Sequence, residues 1–413
     1  MIHYLRYCCA MFFALFGFLL TTPLSAQAQP REAYVSQSAD ETTLTFYYDA
    51  LRATRTGTTW EIMEYSSENK IYPAWAGTWD WADKTTTRVV FDASFRDFRP
   101  TTTATWFFRC NALKQIEGLE YLNTSEVKDM SSMFYDCQAL TSIDLKHFNT
   151  KNVTDMSWMF CDCVALTSLD LKNFDTKKVT DMSWMFYGCA ALTSIDLKNF
   201  DTENVTDMSW MFYGCAALTS IDLKNFDTKK VAKMGSMFAG CAALTSINLK
   251  NVNTKKVTDM SWMFYDCAAL TSIDLKSFNT KNVADMAVMF RGCSALNSLD
   301  LQYFNTKNVT DMSLMFFDCA ALTTIYCNTT WQCRASEKMF AGCTKLKGAV
   351  AYNKNKVDAK MANPETGYFT AEPTTEKRNR PRAAHLPAAS KRGARKHLPA
   401  GVSVVNGKKT VKP

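Results

Sequence analysis

The hydrophobic pattern of the chain repeats every 26 residues over most of its length. From Met133 onward the dipeptide Met-Phe occurs nine times, each methionine is followed four residues later by a cysteine, and only the last interval is shorter, at 24 residues. The methionines are Met133, Met159, Met185, Met211, Met237, Met263, Met289, Met315 and Met339. The cysteines are Cys137, Cys163, Cys189, Cys215, Cys241, Cys267, Cys293, Cys319 and Cys343. Such a period is typical of stacked repeat proteins.

Each unit combines two periodicities. In one clear unit the apolar residues at helical offsets are Val179, Met182, Met185, Phe186 and Cys189. This spacing predicts a helix of about two turns, capped by Thr180 or Asp181 and ended by Gly188 in the left-handed conformation. Downstream, Ile195 and Leu197 alternate with polar residues, which predicts a short strand with these two side chains facing inward.

Neither element is stable alone, because so short a helix is marginal in water and one unit buries too little apolar surface to offset its ordering entropy. Stacking removes the open faces. The predicted fold class is therefore an α/β repeat solenoid, leucine-rich-repeat-like, with parallel strands on one side, short helices on the other and a β-rich N-terminal cap.

The composition divides the chain into six segments. We predict a signal peptide (1–28), a β-rich N-terminal cap (29–106), the repeat solenoid (107–344), a C-terminal cap (345–370), a basic disordered linker (371–397) and a sorting or anchoring tail (398–413).

The first segment has the order of a secretory signal peptide. Arg6 precedes the 13-residue apolar run from Cys8 to Leu20, and small residues end at Ala28. The alternative is a single membrane anchor, but this run is shorter than the roughly 20 residues that cross a bilayer. We expect cleavage after Ala28 and export of the mature chain without a transmembrane segment.

The strand string L-x-x-I-x-L and the string V-T-D-M-S-x-M-F-x-x-C resemble the BspA-like surface leucine-rich-repeat family of bacteria, from about Phe108 to Thr370. The resemblance implies a secreted or surface-displayed adhesin that recognises host or partner-cell proteins. One departure is a phenylalanine spine where leucine-rich repeats place an asparagine. Its members are Phe148, Phe174, Phe200, Phe226, Phe278 and Phe304, with Val252 once. The turn carbonyls must then be satisfied otherwise, and Asp201-Thr202 and their equivalents are the candidates.

The last residues, Leu398 to Pro413, resemble the end of the C-terminal sorting domain used in type nine secretion, although its upstream strands are missing. That resemblance implies display on the outer membrane exterior. A wall-anchoring motif at Leu386-Pro387 or Leu398-Pro399 is the rival, but no apolar segment follows either one.

Charge and histidine content argue against several function classes. The net charge is +7, but residues 372–413 carry +9 and the remainder sums to −2, so the body offers no basic groove for nucleic acid. Only four histidines occur, and common catalytic motifs are missing. We expect a protein that is not an enzyme and has no cofactor or metal site.

The outward strand face carries two charged columns. They are Asp144, Asp170, Asp196, Asp222, Asp274 and Asp300, and Lys146, Lys172, Lys198, Lys224, Lys250 and Lys276. Strands lie about 4.8 Å apart, so the carboxylates repel one another unless lysines sit between them. One interpretation is a self-neutralised solvated face; another is a platform for an extracellular protein ligand; a third is a calcium site, although flat sheets rarely surround the ion.

The cysteines of the repeat fit a buried ladder in which a free thiol behaves as a small hydrophobe. Cys327 and Cys333 lie off the ladder and are candidates for a disulfide in an oxidising compartment. Cys161 replaces a tyrosine of other units, and we expect it to be an exposed free thiol that reacts faster than the ladder.

Tryptophans form two groups. An interrupted stripe consists of Trp158, Trp184, Trp210 and Trp262. Packing between adjacent turns explains it, and an aromatic strip for a partner is the alternative. A second group, in the N-terminal cap, comprises Trp60, Trp75, Trp79 and Trp81. These residues form the core of the cap or stack on sugars, so a glycan-binding module stays open beside the calcium alternative.

Overall fold

A computed structural model describes residues 29–371, apart from 64, 66–68 and 70, together with residues 402–405 and 408–411. The chain divides into two compact units, Met1–Glu372 and Pro373–Pro413. The predicted signal peptide and nearly all of the predicted linker lie outside the described residues.

The N-terminal part of the first unit is a five-stranded mixed sheet in the order β3-β1-β2-β4-β5. Its strands are β1 (Glu32–Gln37), β2 (Thr43–Asp49), β3 (Thr59–Glu61), β4 (Arg88–Phe91) and β5 (Gln115–Glu117). Short 3-10 helices span Arg52–Thr54, Ala93–Asp97 and Leu119–Tyr121. β1 is antiparallel to β2 and β3, whereas β2–β4 and β4–β5 are parallel. The parallel edge thus sets the strand direction of the repeats that follow.

The repeats stack on this sheet as parallel rungs. Named strands within them are β6 (Ser220–Asp222), β7 (Ser246–Asn248), β8 (Ser298–Asp300), β9 (Thr324–Tyr326) and β10 (Phe369–Thr370), and a 3-10 helix spans Ala359–Met361. β6 pairs with β7, and β8, β9 and β10 form a second parallel sheet. One hydrophobic core runs from the N-terminal sheet through the rungs to Phe369. In the second unit, β11 (Val402–Val405) and β12 (Lys408–Val411) form an antiparallel hairpin.

The predicted helices are wrong, since no α-helix occurs among the described residues. The segment from Val179 to Cys189, for which the helix was predicted, consists of overlapping β-turns. Alternate N–H groups of these turns donate to backbone carbonyls of the next rung. The Met182 N–H donates to the Asp207 carbonyl at 3.1 Å, and the Phe186 N–H donates to the Met211 carbonyl at 2.9 Å. Between them Trp184 has a φ of 59°, a left-handed conformation that an α-helix of L-residues excludes.

The predicted apolar face is nevertheless the buried one. All five residues at the helical offsets between Val179 and Cys189 are fully buried, and Gly188 is left-handed as expected, with a φ of 68°. Apolar residues at every third position satisfy successive turns as well as a helix. Periodicity therefore identified the inward residues but not their backbone conformation.

Buried threonines satisfy the turns that follow the phenylalanine spine, as the sequence suggested. The Thr150 hydroxyl donates to the Asp175 carbonyl at 2.9 Å and accepts the Asp175 N–H at 2.8 Å. The equivalent buried residues are Thr124, Thr176, Thr202, Thr228, Thr254 and Thr280, and each hydroxyl donates to the carbonyl 25 residues on. Each threonine thus joins its rung to the next one.

We predict that Thr150→Val lowers the free energy of unfolding by about 1–3 kcal/mol, because it removes the buried hydroxyl that bonds both the N–H and the carbonyl of Asp175. Thr150→Ser keeps the hydroxyl and should lose less. Urea unfolding measures both values. The exposed Thr193→Val is the control and should change little; an equal loss in the control and in Thr150→Val would contradict this role.

Candidate functional site: the exposed faces of the repeat stack

On the strand face, aspartate and lysine side chains of the same rung form ion pairs. The Lys172 ammonium lies 2.7 Å from the Asp170 carboxylate, whose other oxygen accepts the Lys172 backbone N–H. The same arrangement joins Lys146 to Asp144, Lys198 to Asp196 and Lys224 to Asp222. These four lysines therefore lie beside the carboxylate of their own rung and not between rungs.

This pairing makes the strand face locally neutral. The lysine hydrogen bond holds the pKa of Asp144, Asp170, Asp196 and Asp222 below its usual value. All four pairs remain at least half exposed, and exposed pairs stabilise little. The column changes at Asn248, whose amide donates to Asp222. Further along, Asp274 and Asp300 accept the backbone N–H groups of Lys276 and Gln302, and Lys250 donates its own to Asn248.

A second carboxylate file, on the turn side, was missed by the sequence reasoning. It consists of Asp129, Asp155, Asp181, Asp207, Asp259, Asp285 and Asp311, joined as consecutive parallel bridges and interrupted by Lys233. The aspartate of the V-T-D-M-S string was its signal. Burial raises the pKa of Asp155 to about 6, with smaller contributions from Asp129 and Asp181. Burial raises the pKa of Asp285 as well, whereas Lys233 pairs with Asp207 at 2.9 Å.

We predict that Asp155→Asn stabilises the protein at neutral pH. Because the folded-state pKa of Asp155 is raised, its favourable contribution is complete below about pH 4 and is lost as the pH rises to about 6. The variant should therefore match the wild type at pH 4 and gain up to about 3 kcal/mol at pH 7.5, measured by urea unfolding.

Asp170→Asn is the matched control for this prediction. Its carboxylate is exposed and paired with Lys172, which lowers its pKa, so removing the charge should not stabilise at neutral pH. A gain in both variants, or a gain of Asp155→Asn that does not depend on pH, would rule out burial of the charge as the cause.

The cysteine ladder donates hydrogen bonds backwards along the stack. The Cys163 thiol contacts the Phe134 carbonyl at 3.1 Å, and Cys189 repeats this contact on Phe160. Burial raises the pKa of both thiols. The expectation for Cys161 was wrong: it is fully buried, and burial raises its pKa too.

Cys327 and Cys333 are not joined in the structure. Both are free thiols, and the Cys333 thiol donates to the Ala335 carbonyl at 2.9 Å while Cys327 lies 3.5 Å from Thr329. Cys327 is buried, whereas Cys333 is partly exposed.

We predict that alkylation of the native, reduced protein labels Cys333 first and leaves Cys161 as protected as Cys189, because accessibility limits the buried thiols. Mass spectrometry of labelled peptides over time measures the order, with urea-unfolded protein as the control for intrinsic reactivity. Faster labelling of Cys161 than of Cys333 would restore the expectation drawn from the sequence.

Half-buried rings form a continuous aromatic stripe on the turn side. It comprises Trp79, Tyr135, Trp158, Trp184, Tyr187, Trp210 and Tyr213. Trp184 stacks on Trp158 at 4.3 Å and on Trp210 at 4.7 Å, with ring planes within 8°. The rings follow one another at about the spacing of the rungs. They therefore pack between turns, and each of them remains partly exposed to solvent.

The stripe ends after Tyr213. In the next rung Ser236 and Ala239 occupy the tryptophan and tyrosine positions, and both are buried. Trp262 restarts the pattern one rung later and is 38% exposed. It contacts Tyr265 and stacks on no other tryptophan among the described residues. The stripe therefore belongs to the rungs nearest the N-terminal cap.

The structure separates the four tryptophans of the cap. Trp75 is buried and donates its ring N–H to the Trp106 carbonyl at 2.9 Å, and Trp60 packs partly buried against the core. Trp79 and Trp81 are 44% and 57% exposed. Trp79 contacts Tyr135 and so joins the cap to the aromatic stripe.

Two further properties bear on the site. Among the described residues, no group of three or more His, Cys, Asp or Glu side chains could hold a metal ion. Over the same part of the chain, no helix has the length and hydrophobicity needed to cross a membrane.

One family model matches the repeats. It is described as "Mycoplasma protein of unknown function, DUF285", and its four overlapping matches span residues 101–196, 164–272, 190–297 and 241–355. Together they cover residues 101–355, more than half of the chain. No curated protein matches the sequence. The chain therefore belongs to the DUF285 family of repeat proteins.

Proposed function

We propose that this protein is a surface-displayed adhesin that captures a host or partner-cell protein and performs no catalysis. The observation that carries the proposal is the aromatic stripe from Trp79 to Tyr213, a row of contacting rings that are all partly exposed. Tyrosine and tryptophan are the residues most enriched in protein interfaces and their hot spots. A rung spacing of about 4.8 Å makes the row roughly 20–25 Å long, which suits a protein surface better than a small ligand.

The interior of the repeats supports a role in binding. Its methionines, phenylalanines, threonines and cysteines are buried and shared between neighbouring rungs, so only the surface side chains are free to act. Those side chains recur in nearly the same setting from rung to rung, whereas catalysis needs unlike groups in unlike environments.

The resemblance to BspA-like surface proteins and the signal peptide proposed for residues 1–28 support display outside the cell. The sorting tail proposed for residues 398–413 contains the hairpin of β11 and β12. The Asp–Lys strand face is the second candidate surface. We place calcium binding there below protein binding, because lysines already occupy its carboxylates.

Variants of the two faces test the proposal. The full chain is immobilised, ligands are captured from extracellular-matrix and mucosal extracts, and each identified protein is purified for biosensor kinetics. We predict that the double variant Trp184→Ala/Trp210→Ala weakens binding by about tenfold or more. Trp262→Ala, at the same repeat position but outside the stripe, should bind as the wild type does.

The triple variant Asp170→Lys/Asp196→Lys/Asp222→Lys examines the strand face. Its ligand binding should be retained, and thermal melting of all variants verifies folding. Loss of binding in the triple variant alone, with an on-rate that falls as salt rises, would move the site to the strand face. Absence of any specific protein ligand would refute protein capture.

A further inference from the structure

A shallow cavity in the N-terminal cap combines an open tryptophan ring with unpaired charges of both signs. The cavity has a volume of about 380 Å³ and is lined by Asp80, Trp81, Ala82, Lys84, Thr85 and Arg109. Its size lies within the range of about 300–1,000 Å³ usual for small-ligand sites. It is distinct from the packed row of the aromatic stripe, since no ring in the described part of the chain stacks on Trp81.

The turn that carries Trp81 is held rigidly. The Thr78 N–H donates to the Trp81 carbonyl at 2.6 Å, and the Trp81 N–H returns a bond to Thr78 at 3.3 Å. The Arg109 guanidinium clamps the same turn by donating to the Thr78 and Trp79 carbonyls at 3.0 and 2.6 Å. A Cβ on Gly77 would lie 2.7 Å from the Arg109 Cβ, so the turn sits directly against Arg109. Because the turn is already ordered, a ligand that binds there loses little free energy to ordering the protein.

The charges of the cavity differ from those of the strand face. Neither Asp80 nor Lys84 forms an ion pair with any described residue, whereas strand-face acids and bases neutralise each other. Asp80 offers hydrogen-bond acceptors, and Lys84 offers donors. Both kinds of group therefore face solvent beside an indole ring that is 57% exposed.

We propose that this cavity is a carbohydrate-binding site, in which a pyranose ring stacks on Trp81 while Asp80 and Lys84 hydrogen-bond its hydroxyls. The C–H bonds of a sugar ring fit the electron-rich face of an indole. Each sugar hydroxyl both donates and accepts, and so matches a cavity that holds an acid and a base. An aromatic side chain of a partner protein would form no hydrogen bonds with Asp80 and Lys84, and a simple anion would be repelled by the Asp80 carboxylate.

The site goes beyond protein capture and does not depend on it, because Trp81 is outside the aromatic stripe. Saturation-transfer NMR and titration calorimetry on the full chain test it with chitotriose, maltotriose, cellotriose and sialyllactose, and with sodium acetate as the anion probe. We expect at least one neutral trisaccharide to bind. Trp81→Ala should weaken that binding by about tenfold or more, and Asp80→Asn and Lys84→Gln each severalfold, while Trp262→Ala should leave it unchanged.

Three results would overturn the proposal. They are no binding of any neutral trisaccharide, sugar binding that survives Trp81→Ala, and binding of acetate and sialyllactose alone that Asp80→Asn strengthens and Lys84→Gln abolishes. The last pattern identifies an anion site. Trp81 is exposed, so its replacement should leave the melting temperature near the wild-type value. If the double variant Trp184→Ala/Trp210→Ala loses its protein ligand but still binds the sugar, the aromatic stripe and the cavity are independent sites. The failure of one proposal can then be distinguished from the failure of the other.

Discussion

The hydrogen bonding of each rung to the next is the constraint on which the rest of the structure depends. Segments as short as these turns and strands have no stability of their own. Backbone N–H groups of the turns are satisfied 25 residues further on, as when Phe186 donates to Met211 and Phe212 to Met237. An unpaired buried amide is costly, so a rung is stable only when its neighbours keep the same register. The constant length of the unit follows from this requirement.

A fixed register places identical side chains on top of one another, and each residue type responds differently. Phenylalanines and tryptophans stack at close to the rung spacing, as Trp158 does on Trp184, and buried threonines and cysteines pass hydrogen bonds between rungs. Carboxylates cannot stack in this way, because neighbouring negative charges repel one another. In four rungs of the exposed file a lysine pairs with the carboxylate of its own rung. Asp155 is mostly buried, and burial raises its pKa, with smaller contributions from Asp129 and Asp181. The cost of repetition therefore concentrates in the partly buried acidic file.

How far the sequence predicts this fold depends on which property is asked of it. Burial was predictable at Met182, Phe186 and Cys189, because the repeat fixes which positions meet the core in every rung. Backbone conformation was not, since the left-handed φ of Trp184 arises from bonds to the next rung and not from local preference. The charged columns were visible, but whether a lysine pairs within or between rungs depends on geometry. The exposure of Trp81 beside buried Trp75 carried no sequence signal.

Departures from the repeat make the two ends of the stack different, although most of the units are nearly identical. One rung differs from its neighbours on several faces at once, at Lys233, Ser236, Ala239, Asn248 and Val252. It ends the aromatic stripe, interrupts both aspartate files and breaks the phenylalanine spine. Because rungs contact only their neighbours, a single divergent rung separates the surfaces on either side of it. The tryptophans that stack on one another, and the exposed Trp79 and Trp81 of the cap, all lie on the N-terminal side. Ligand recognition is therefore expected at the N-terminal end of the stack, where unlike side chains lie close together.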